Sequence, residues 1–284
     1  MKRLLSLILG VLALTLGMAP VESRAEPLAP LFEAAKEGDC QRIQKLLAEG
    51  SDIHTRDSVG VTVLMMASMF GQNEVIHILL DNKADINAKD YLGDTALLWA
   101  ASQGHSSTIQ LLLDNKADIH TRDNDGMTAL MAAVSQGHIS AVQMLLDNKA
   151  DIYTRTNDGK TALMFAALRG QSKAIQTLLD NRADIHARDN NGMTALHFAI
   201  YEGKTEAVRI LLDNRANINA QNNFGMTPIF IAAFLQPKEV VEILLQRGAE
   251  PNIKTNDGVS PLMMARESPH KGVVELLRQY GAKE

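Results

Sequence analysis

Apolar residues recur along this chain in two short helical patterns, followed by a polar turn. In residues 123–155 the first pattern is short and contains small side chains that allow close packing: Leu130, Ala132 and Ala133. After Gly137 a second pattern follows at helical spacing, with Ile139, Val142, Met144, Leu145 and Leu146. Thr128 is predicted to cap the first helix, because its hydroxyl can accept a hydrogen bond from an orphan backbone N–H. The segment therefore predicts a turn followed by two helices.

This pattern repeats every 33 residues without a slip. A glycine marks the turn of each unit, at Gly60, Gly93, Gly126, Gly159, Gly192, Gly225 and Gly258. A threonine or serine follows two residues later, at positions 62, 95, 128, 161, 194, 227 and 260. Asp125-Gly126 favours a tight turn with positive φ, and Pro228 and Pro261 suit the first turn of a helix. A strict period of this kind predicts a stack of repeated units.

The units resemble the ankyrin repeat, in which a hairpin turn precedes two antiparallel helices. The family motif Thr-Pro-Leu-His-x-Ala-Ala is matched by Thr194-Ala195-Leu196-His197-Phe198-Ala199 and by Thr227-Pro228-Ile229-Phe230-Ile231-Ala232-Ala233. The resemblance covers nearly all of residues 29–284 and implies an all-α solenoid with β-hairpin or turn fingers. It implies an N-terminal segment and capping repeat over 26–56, six full repeats over 57–254 and a C-terminal capping repeat over 255–284.

Two features depart from the family pattern. The family usually has glycine after the second helix, as at Gly50 and Gly248, but the units between them have a long basic residue: Lys83, Lys116, Lys149, Arg182 and Arg215. If these residues adopt the left-handed conformation, each costs about 1 kcal/mol. Histidine occupies its motif position only at His197. Both departures concern local stability, not the fold.

The first residues are typical of an export signal. Lys2 and Arg3 precede an apolar run from Leu4 to Met18, and Ser23-Arg24-Ala25 supplies small residues for cleavage after Ala25. The apolar run is shorter than the roughly 20 residues that a membrane-spanning helix needs; an uncleaved anchor is the alternative. We therefore expect residues 1–25 to be a signal peptide and the rest to be exported. A periplasm is the expected compartment, with secretion as the alternative.

The sequence offers little for chemistry. An EF-hand loop needs alternating oxygen ligands, a glycine and a closing glutamate; aligned on Gly126, the glutamate position holds Ala132. His54, His120 and His186 recur at one repeat position, but alternate units are roughly 20 Å apart at about 8–10 Å per packed helix, so they cannot share a metal ion. No catalytic or phosphate-binding signature occurs. We expect no enzyme activity, cofactor or metal.

Charge and cysteine usage narrow the partners. The net charge of −5 argues against a nucleic-acid binder. A basic column recurs beside the turn aspartates, at Arg56, Lys89, Arg122, Arg155, Arg188 and Lys254. It is interpreted as a solvated ladder of alternating charges, with an acidic partner as the alternative. Cys40 is the only cysteine and forms no internal disulfide; a mixed disulfide or a dimer bond is the less favoured reading.

Apolar residues at the finger tips and at the ends of the first helices predict a binding surface. In a solenoid these positions line an extended concave face, and large exposed apolar patches usually mark contact sites. The predicted partner-binding residues are Val59, Val61, Met69, Phe70, Tyr91, Leu92, Met127, Leu168, Met193, Tyr201, Phe224, Met226, Phe234 and Leu235. The alternative is that these side chains pack on one another along the groove. Four further residues are expected in the core: Trp99, Phe165, Phe198 and Ile231.

These observations predict an exported, monomeric module that binds a protein through its concave face and finger tips. After signal cleavage we expect no contact with a membrane. The resemblance implies a periplasmic enzyme as the partner, since exported bacterial ankyrin proteins are associated with such enzymes, including catalases. A toxin-neutralising inhibitor and a secreted effector that binds host proteins are the alternatives.

Overall fold

A computed structural model describes residues 29–270 and 272–283. Within these ranges, sixteen helices form eight consecutive pairs: α1 Pro30–Glu37 and α2 Cys40–Ala48, α3 Val63–Met69 and α4 Asn73–Asp81, α5 Ala96–Gln103 and α6 Ser106–Asp114, α7 Ala129–Gln136 and α8 Ile139–Asp147, α9 Ala162–Arg169 and α10 Ser172–Asp180, α11 Ala195–Tyr201 and α12 Thr205–Asp213, α13 Pro228–Leu235 and α14 Lys238–Gln246, α15 Pro261–Arg266 and α16 Val273–Gln279. The predicted signal segment, residues 1–25, lies outside the described residues.

The first helix of each pair is called inner and the second outer, and local sequence sets the ends of the inner helices. Thr128 precedes α7 in an extended conformation, and its Oγ1 accepts a hydrogen bond from Met131 N at 3.4 Å. Gly137 ends α7 with φ at 76°, a left-handed conformation that glycine adopts without steric cost. The predicted cap and the predicted helix end are both confirmed.

The outer helices bury one face against the inner ones. In α8, Ala141, Val142 and Leu145 have no exposed surface, whereas Gln143 and Asp147 are exposed. Inner helices lie between the inner helices of two neighbouring units, so their small residues are buried on nearly every side. One apolar cluster therefore runs through successive units. Each fully buried valine or leucine contributes roughly 1.5–3 kcal/mol to stability.

The turns between successive pairs form the fingers, which are too short to build a sheet. Among the described residues, strand pairing is limited to one isolated antiparallel bridge between Arg56 and Thr62. The all-α solenoid is confirmed, with fingers that are turns and not extended hairpins. The predicted repeat boundaries at residues 56 and 254 stay predictions. None of the described helices has the length and apolar character that crossing a bilayer requires.

The basic residues that replace glycine after the outer helices do adopt the left-handed conformation. Lys83, Lys116, Lys149, Arg182 and Arg215 have φ between 65° and 70°. The asparagine before each of them closes the helix end, as where Asn148 Nδ2 donates to Met144 O at 2.9 Å. The chain therefore keeps the helix end that glycine would allow, at a conformational cost in five units.

Candidate functional site

Each finger is closed by one side chain at its base. In the second finger, residues 90–94, Asp90 Oδ1 accepts hydrogen bonds from the Leu92 and Asp94 backbone N–H groups, both at 2.9 Å. The same closure recurs at Asp57, Asp123, Asp189 and Asn222, and Thr156 achieves it with its hydroxyl. The repeated aspartates therefore hold turns, because their oxygens accept hydrogen bonds from backbone N–H groups of their own finger.

A ladder of asparagine side chains joins the finger tips. Asn124 Nδ2 donates to Tyr91 O at 2.9 Å, and Asn157 Nδ2 donates to Asn124 O at 2.8 Å. The ladder continues through Asn190, Asn223 and Asn256. Tyr91 occupies the equivalent position in the second finger, so the side-chain ladder stops there. An aromatic ring takes the place of the linking amide.

The first two finger tips consequently carry exposed apolar side chains. Tyr91 is 68% exposed, Leu92 63% and Val59 48%. The two tips are joined by the hydrogen bond from Tyr91 N to Val59 O at 3.1 Å. We call these three residues the tip patch. They were predicted as partner-binding residues, and their exposure is what a contact surface requires.

The remaining predicted surface residues divide into three groups. Phe70 is exposed, with the Lys36 ammonium 5.4 Å from its ring centroid. Five are half-buried and pack against the core: Met127, Tyr201, Phe224, Phe234 and Leu235. Five are buried, and their assignment to an open surface is wrong: Val61, Met69, Leu168, Met193 and Met226.

The five buried residues occupy two positions of the repeat. Positions 61, 193 and 226 follow the finger glycine and turn inward beneath the finger, as where Met193 Sδ accepts from Asn222 Nδ2 of the next finger at 3.3 Å. Met69 and Leu168 lie in the last turns of α3 and α9, with 5% and 6% of their surface exposed. Four residues expected in the core do pack on it: Phe198 and Ile231 buried, and Trp99 and Phe165 half-buried.

The basic column links fingers to one another. Arg56 Nη1 donates to Lys89 O at 2.6 Å, Lys89 Nζ donates to Arg122 O at 2.8 Å, and Arg122 Nη2 donates to Arg155 O at 2.8 Å. Arg188 donates likewise to Gln221 O. These cations are engaged with backbone carbonyls along the stack. Their arrangement favours a structural role over recognition of an acidic partner.

The histidines also serve the stack. His105 and His138 contact the Met69 and Ser102 carbonyl oxygens of the preceding units at 3.0 and 3.1 Å. His197 is completely buried, and burial lowers its pKa from 6.5 to about 4. Among residues 29–270 and 272–283, no group of three or more histidine, cysteine, aspartate or glutamate side chains is placed to hold a metal ion.

The sequence analysis did not identify Asp94, which the structure makes a candidate functional residue. Asp94 is 4% exposed, and its Oδ1 has no hydrogen-bond partner. Burial, together with the negative charges of Asp90, Asp123 and Asp125, raises its pKa from 3.8 to about 7. Beside it, Trp99 Nε1 donates to Asp90 Oδ2 at 3.3 Å. The sequence could have indicated Asp94, because it is a carboxylate in a repeat position that elsewhere holds valine, methionine or lysine.

Comparisons with known proteins agree with this architecture. A family model described as "Ankyrin repeats (3 copies)" matches residues 31–123, 110–189, 187–255 and 216–284. The chain therefore belongs to the ankyrin-repeat family. The crystal structure of the human ASB11 ankyrin repeat domain is similar, with a TM-score of 0.70 and 26% sequence identity, over 79% of this chain and 100% of that one. No curated protein matches the chain in sequence.

Ankyrin repeats are in general protein-interaction modules, and binding without catalysis is consistent with the family. The sequence analysis included the tip patch, because its residues are apolar side chains at variable finger-tip positions. It did not separate exposed from buried members of the predicted surface. That difference depends on how each unit packs on the next.

Proposed function

We propose that this protein is an exported, non-catalytic module that binds one protein partner, with the tip patch at the centre of the contact. The observation that carries the proposal is the exposure of Tyr91 and Leu92 beside Val59. Aromatic residues are enriched at interface centres, where burial of their rings contributes much of the binding energy. The other finger tips of the described chain are mostly polar and joined by the asparagine ladder.

The proposed contact lies toward the N-terminal end of the stack. Phe70 directly follows α3 in the same unit as Val59 and adds exposed apolar surface. At the other end, Phe224, Phe234 and Leu235 pack against the core and offer less surface to a partner. These C-terminal side chains are therefore less suited to a contact than the tip patch.

Export is inferred from the sequence, and the nature of the partner from the resemblance to exported bacterial ankyrin-repeat proteins. The basic start, apolar run and small residues before Glu26 support a cleaved signal, and the proposed compartment is a periplasm. The proposed partner is an enzyme resident there, which this chain binds as a monomer. Inhibition of a toxin would instead give tight binding together with loss of the toxin's activity.

The test is affinity capture from the periplasmic fraction, with the captured protein then purified and titrated by calorimetry. Tyr91→Ala with Leu92→Ala should weaken binding at least tenfold while leaving the helical circular dichroism spectrum unchanged. Tyr153→Ala is the matched control, because Tyr153 is an equally exposed tyrosine, at 59%, outside the tip patch. Unchanged affinity in the double variant would refute the tip patch as the contact, and recovery of the chain only from the cytoplasm would refute export.

A further inference from the structure

Besides the asparagine side chains, a backbone ladder joins the finger tips. In each finger after the first, the residue that follows the base donates its N–H to a carbonyl of the preceding finger. Tyr91 N donates to Val59 O at 3.1 Å, and Asn124 N donates to Leu92 O at 2.9 Å. The distance is 2.9 to 3.0 Å in the later fingers, where the donors are Asn157, Asn190, Asn223 and Asn256. The backbone ladder therefore pairs each finger with the one before it, always in the same direction.

Ser58 is the equivalent residue of the first finger, residues 57–61, and its backbone N–H donates to no atom of the described residues. The finger is closed in the same way as the others. Asp57 Oδ1 accepts from Val59 N and Val61 N, both at 3.0 Å, and Gly60 N donates to Asp57 O at 3.0 Å. The Ser58 N–H is therefore aimed as in the other fingers, toward the N-terminal side of the stack. Because Ser58 is exposed, the backbone ladder ends in a donor that solvent can reach.

Apolar side chains of the tip patch lie at the same end of the backbone ladder. Val59 directly follows Ser58 and is 48% exposed. The Tyr91 ring lies over the first finger, since a Cβ placed on Gly60 would be 2.6 Å from Tyr91 Cδ1. A partner that contacts this end can therefore accept a hydrogen bond and bury apolar surface in one contact.

We propose that an exposed turn of the partner protein extends the backbone ladder at the first finger. Its carbonyl accepts from Ser58 N, and the side chain of the same turn residue is apolar and covers Val59 and Tyr91. This proposal rests on the proposed function, because it specifies the chemistry of the segment that the tip patch contacts. Main-chain hydrogen bonds at an open edge supply affinity in many peptide complexes, while side-chain contacts supply specificity.

The choice of a turn follows from the contact that the fingers make with one another. Each acceptor in the backbone ladder is the third residue of a tight turn, as Val59 is in residues 57–60 and Leu92 is in residues 90–93. These first two acceptors are apolar and neighbour each other along the finger tips. A partner turn with an apolar third residue would continue both the hydrogen bonds and the apolar row.

A second copy of this chain fits the same place less well. The carbonyl that ends the backbone ladder in the last finger is Asp257 O, to which no described residue donates. Stacking two copies head to tail on the backbone ladder would place the Asp257 carboxylate against Val59 and Tyr91. Covering apolar side chains with a charged group costs free energy, because the carboxylate loses water without gaining a partner.

The test removes the Ser58 N–H without removing a contact of the fold. Ser58 is the second residue of its turn, a position where proline is favoured, and its N–H makes no hydrogen bond with the described residues. Ser58→Pro should therefore unfold at the same urea concentration as the parent or a higher one. Ser58→Ala keeps the N–H and removes only the hydroxyl, so it is the matched control.

The probe is a disulfide-closed hairpin peptide whose turn reads Asp-Tyr-Leu-Gly, the turn of the second finger. The full chain is titrated with it by NMR, and we expect saturable movement of the Val59 methyl signals and slower exchange of the Ser58 amide proton. Ser58→Pro should weaken binding by roughly threefold or more, the worth of one hydrogen bond, whereas Ser58→Ala should bind like the parent. A peptide with aspartate in place of leucine should bind roughly fivefold more weakly or worse.

Several outcomes would overturn the proposal. Protection of the Ser58 amide before any peptide is added would show that the fold already uses this donor. Protection that rises with the concentration of the chain alone would assign the contact to a second copy. No binding of the peptide, or equal affinity of Ser58→Pro and Ser58→Ala, would also overturn it. A captured partner that is lost with Tyr91→Ala and Leu92→Ala, but bound equally by Ser58→Pro and the parent, would leave the proposed function intact and overturn only the backbone contact.

Discussion

Acid should weaken this solenoid at the contact between its sixth and seventh helix pairs, where His197 is buried as a neutral imidazole. Thr194 N donates to His197 Nδ1 at 3.1 Å, so Nδ1 carries no proton. The proton is therefore on Nε2, which donates to Met226 O at 3.2 Å. Burial lowers the pKa of the imidazole from 6.5 to about 4, since a charged ring would be desolvated there.

The two pKa values fix the pH window and the magnitude. The unfolded chain takes up a proton on this histidine as the pH falls below 6.5, whereas the folded chain does so only near pH 4. The contribution is therefore intact above pH 6.5 and is lost as the pH falls from 6.5 to 4. The loss in the free energy of unfolding is about 2 kcal/mol at pH 5 and about 3 kcal/mol at pH 4.

The perturbation is His197→Met, because the chain has methionine at the equivalent position of another unit. At the equivalent position of α3, Met65 Sδ accepts from Thr62 N at 3.3 Å, as His197 Nδ1 does from Thr194 N. The variant loses the hydrogen bond to Met226 O, which is worth about 1 kcal/mol, and the contact of the Thr194 hydroxyl with Nδ1. It should be about 1 kcal/mol less stable than the parent at pH 7.5 and about 1 kcal/mol more stable at pH 5.

The assay is urea unfolding followed by far-ultraviolet circular dichroism at both pH values. Asp158, whose pKa is lowered by hydrogen bonds and charge from Lys160 and Thr156 despite its partial burial, is present in both proteins. Its contribution to acid unfolding therefore cancels in the comparison. If the stability difference between the two proteins is the same at pH 7.5 and pH 5, His197 does not titrate as the structure requires and the reasoning is refuted.

Two further predictions concern stability. Asp94→Met gives the second finger the methionine that positions 127, 193 and 226 carry. The pKa of Asp94 in the folded chain is raised from 3.8 to about 7, so its charge destabilises the fold at high pH. The variant should therefore gain roughly 4 kcal/mol in the free energy of unfolding at pH 8, and this gain should vanish below pH 3.8. Urea unfolding at pH 8 and pH 3.5 measures it, and an equal gain at both would contradict the buried carboxylate. Lys149→Gly should raise stability by about 0.5–1 kcal/mol, since φ at this residue is 69°. Lys45→Gly inside α2 is the control and should lower stability by about 1 kcal/mol; a loss in both would show that the left-handed strain at Lys149 is negligible.

The partner-binding surface illustrates why function is harder to read than fold in a repeat protein. Tyr91 and Met193 were assigned to the same surface from the same reasoning about variable positions. The structure exposes the first and buries the second, because Tyr91 lies at a finger tip whereas Met193 packs against Asn222 of the next finger. A repeat sequence gives the position of a residue within its unit but not the packing of neighbouring units around it.

The sequence alone determined the period, the helix pairs and the finger turns. These depend on signals within a few residues of each other: Thr128 caps the helix that follows it, and Gly137 ends that helix. Only the tertiary structure decided which apolar side chains reach solvent and which buried carboxylate has an oxygen without a hydrogen-bond partner. Burial raises the pKa of Asp94, and the negative charges of Asp90 and of Asp123 and Asp125 from the next unit add to it, so this environment exists only when the stack has formed.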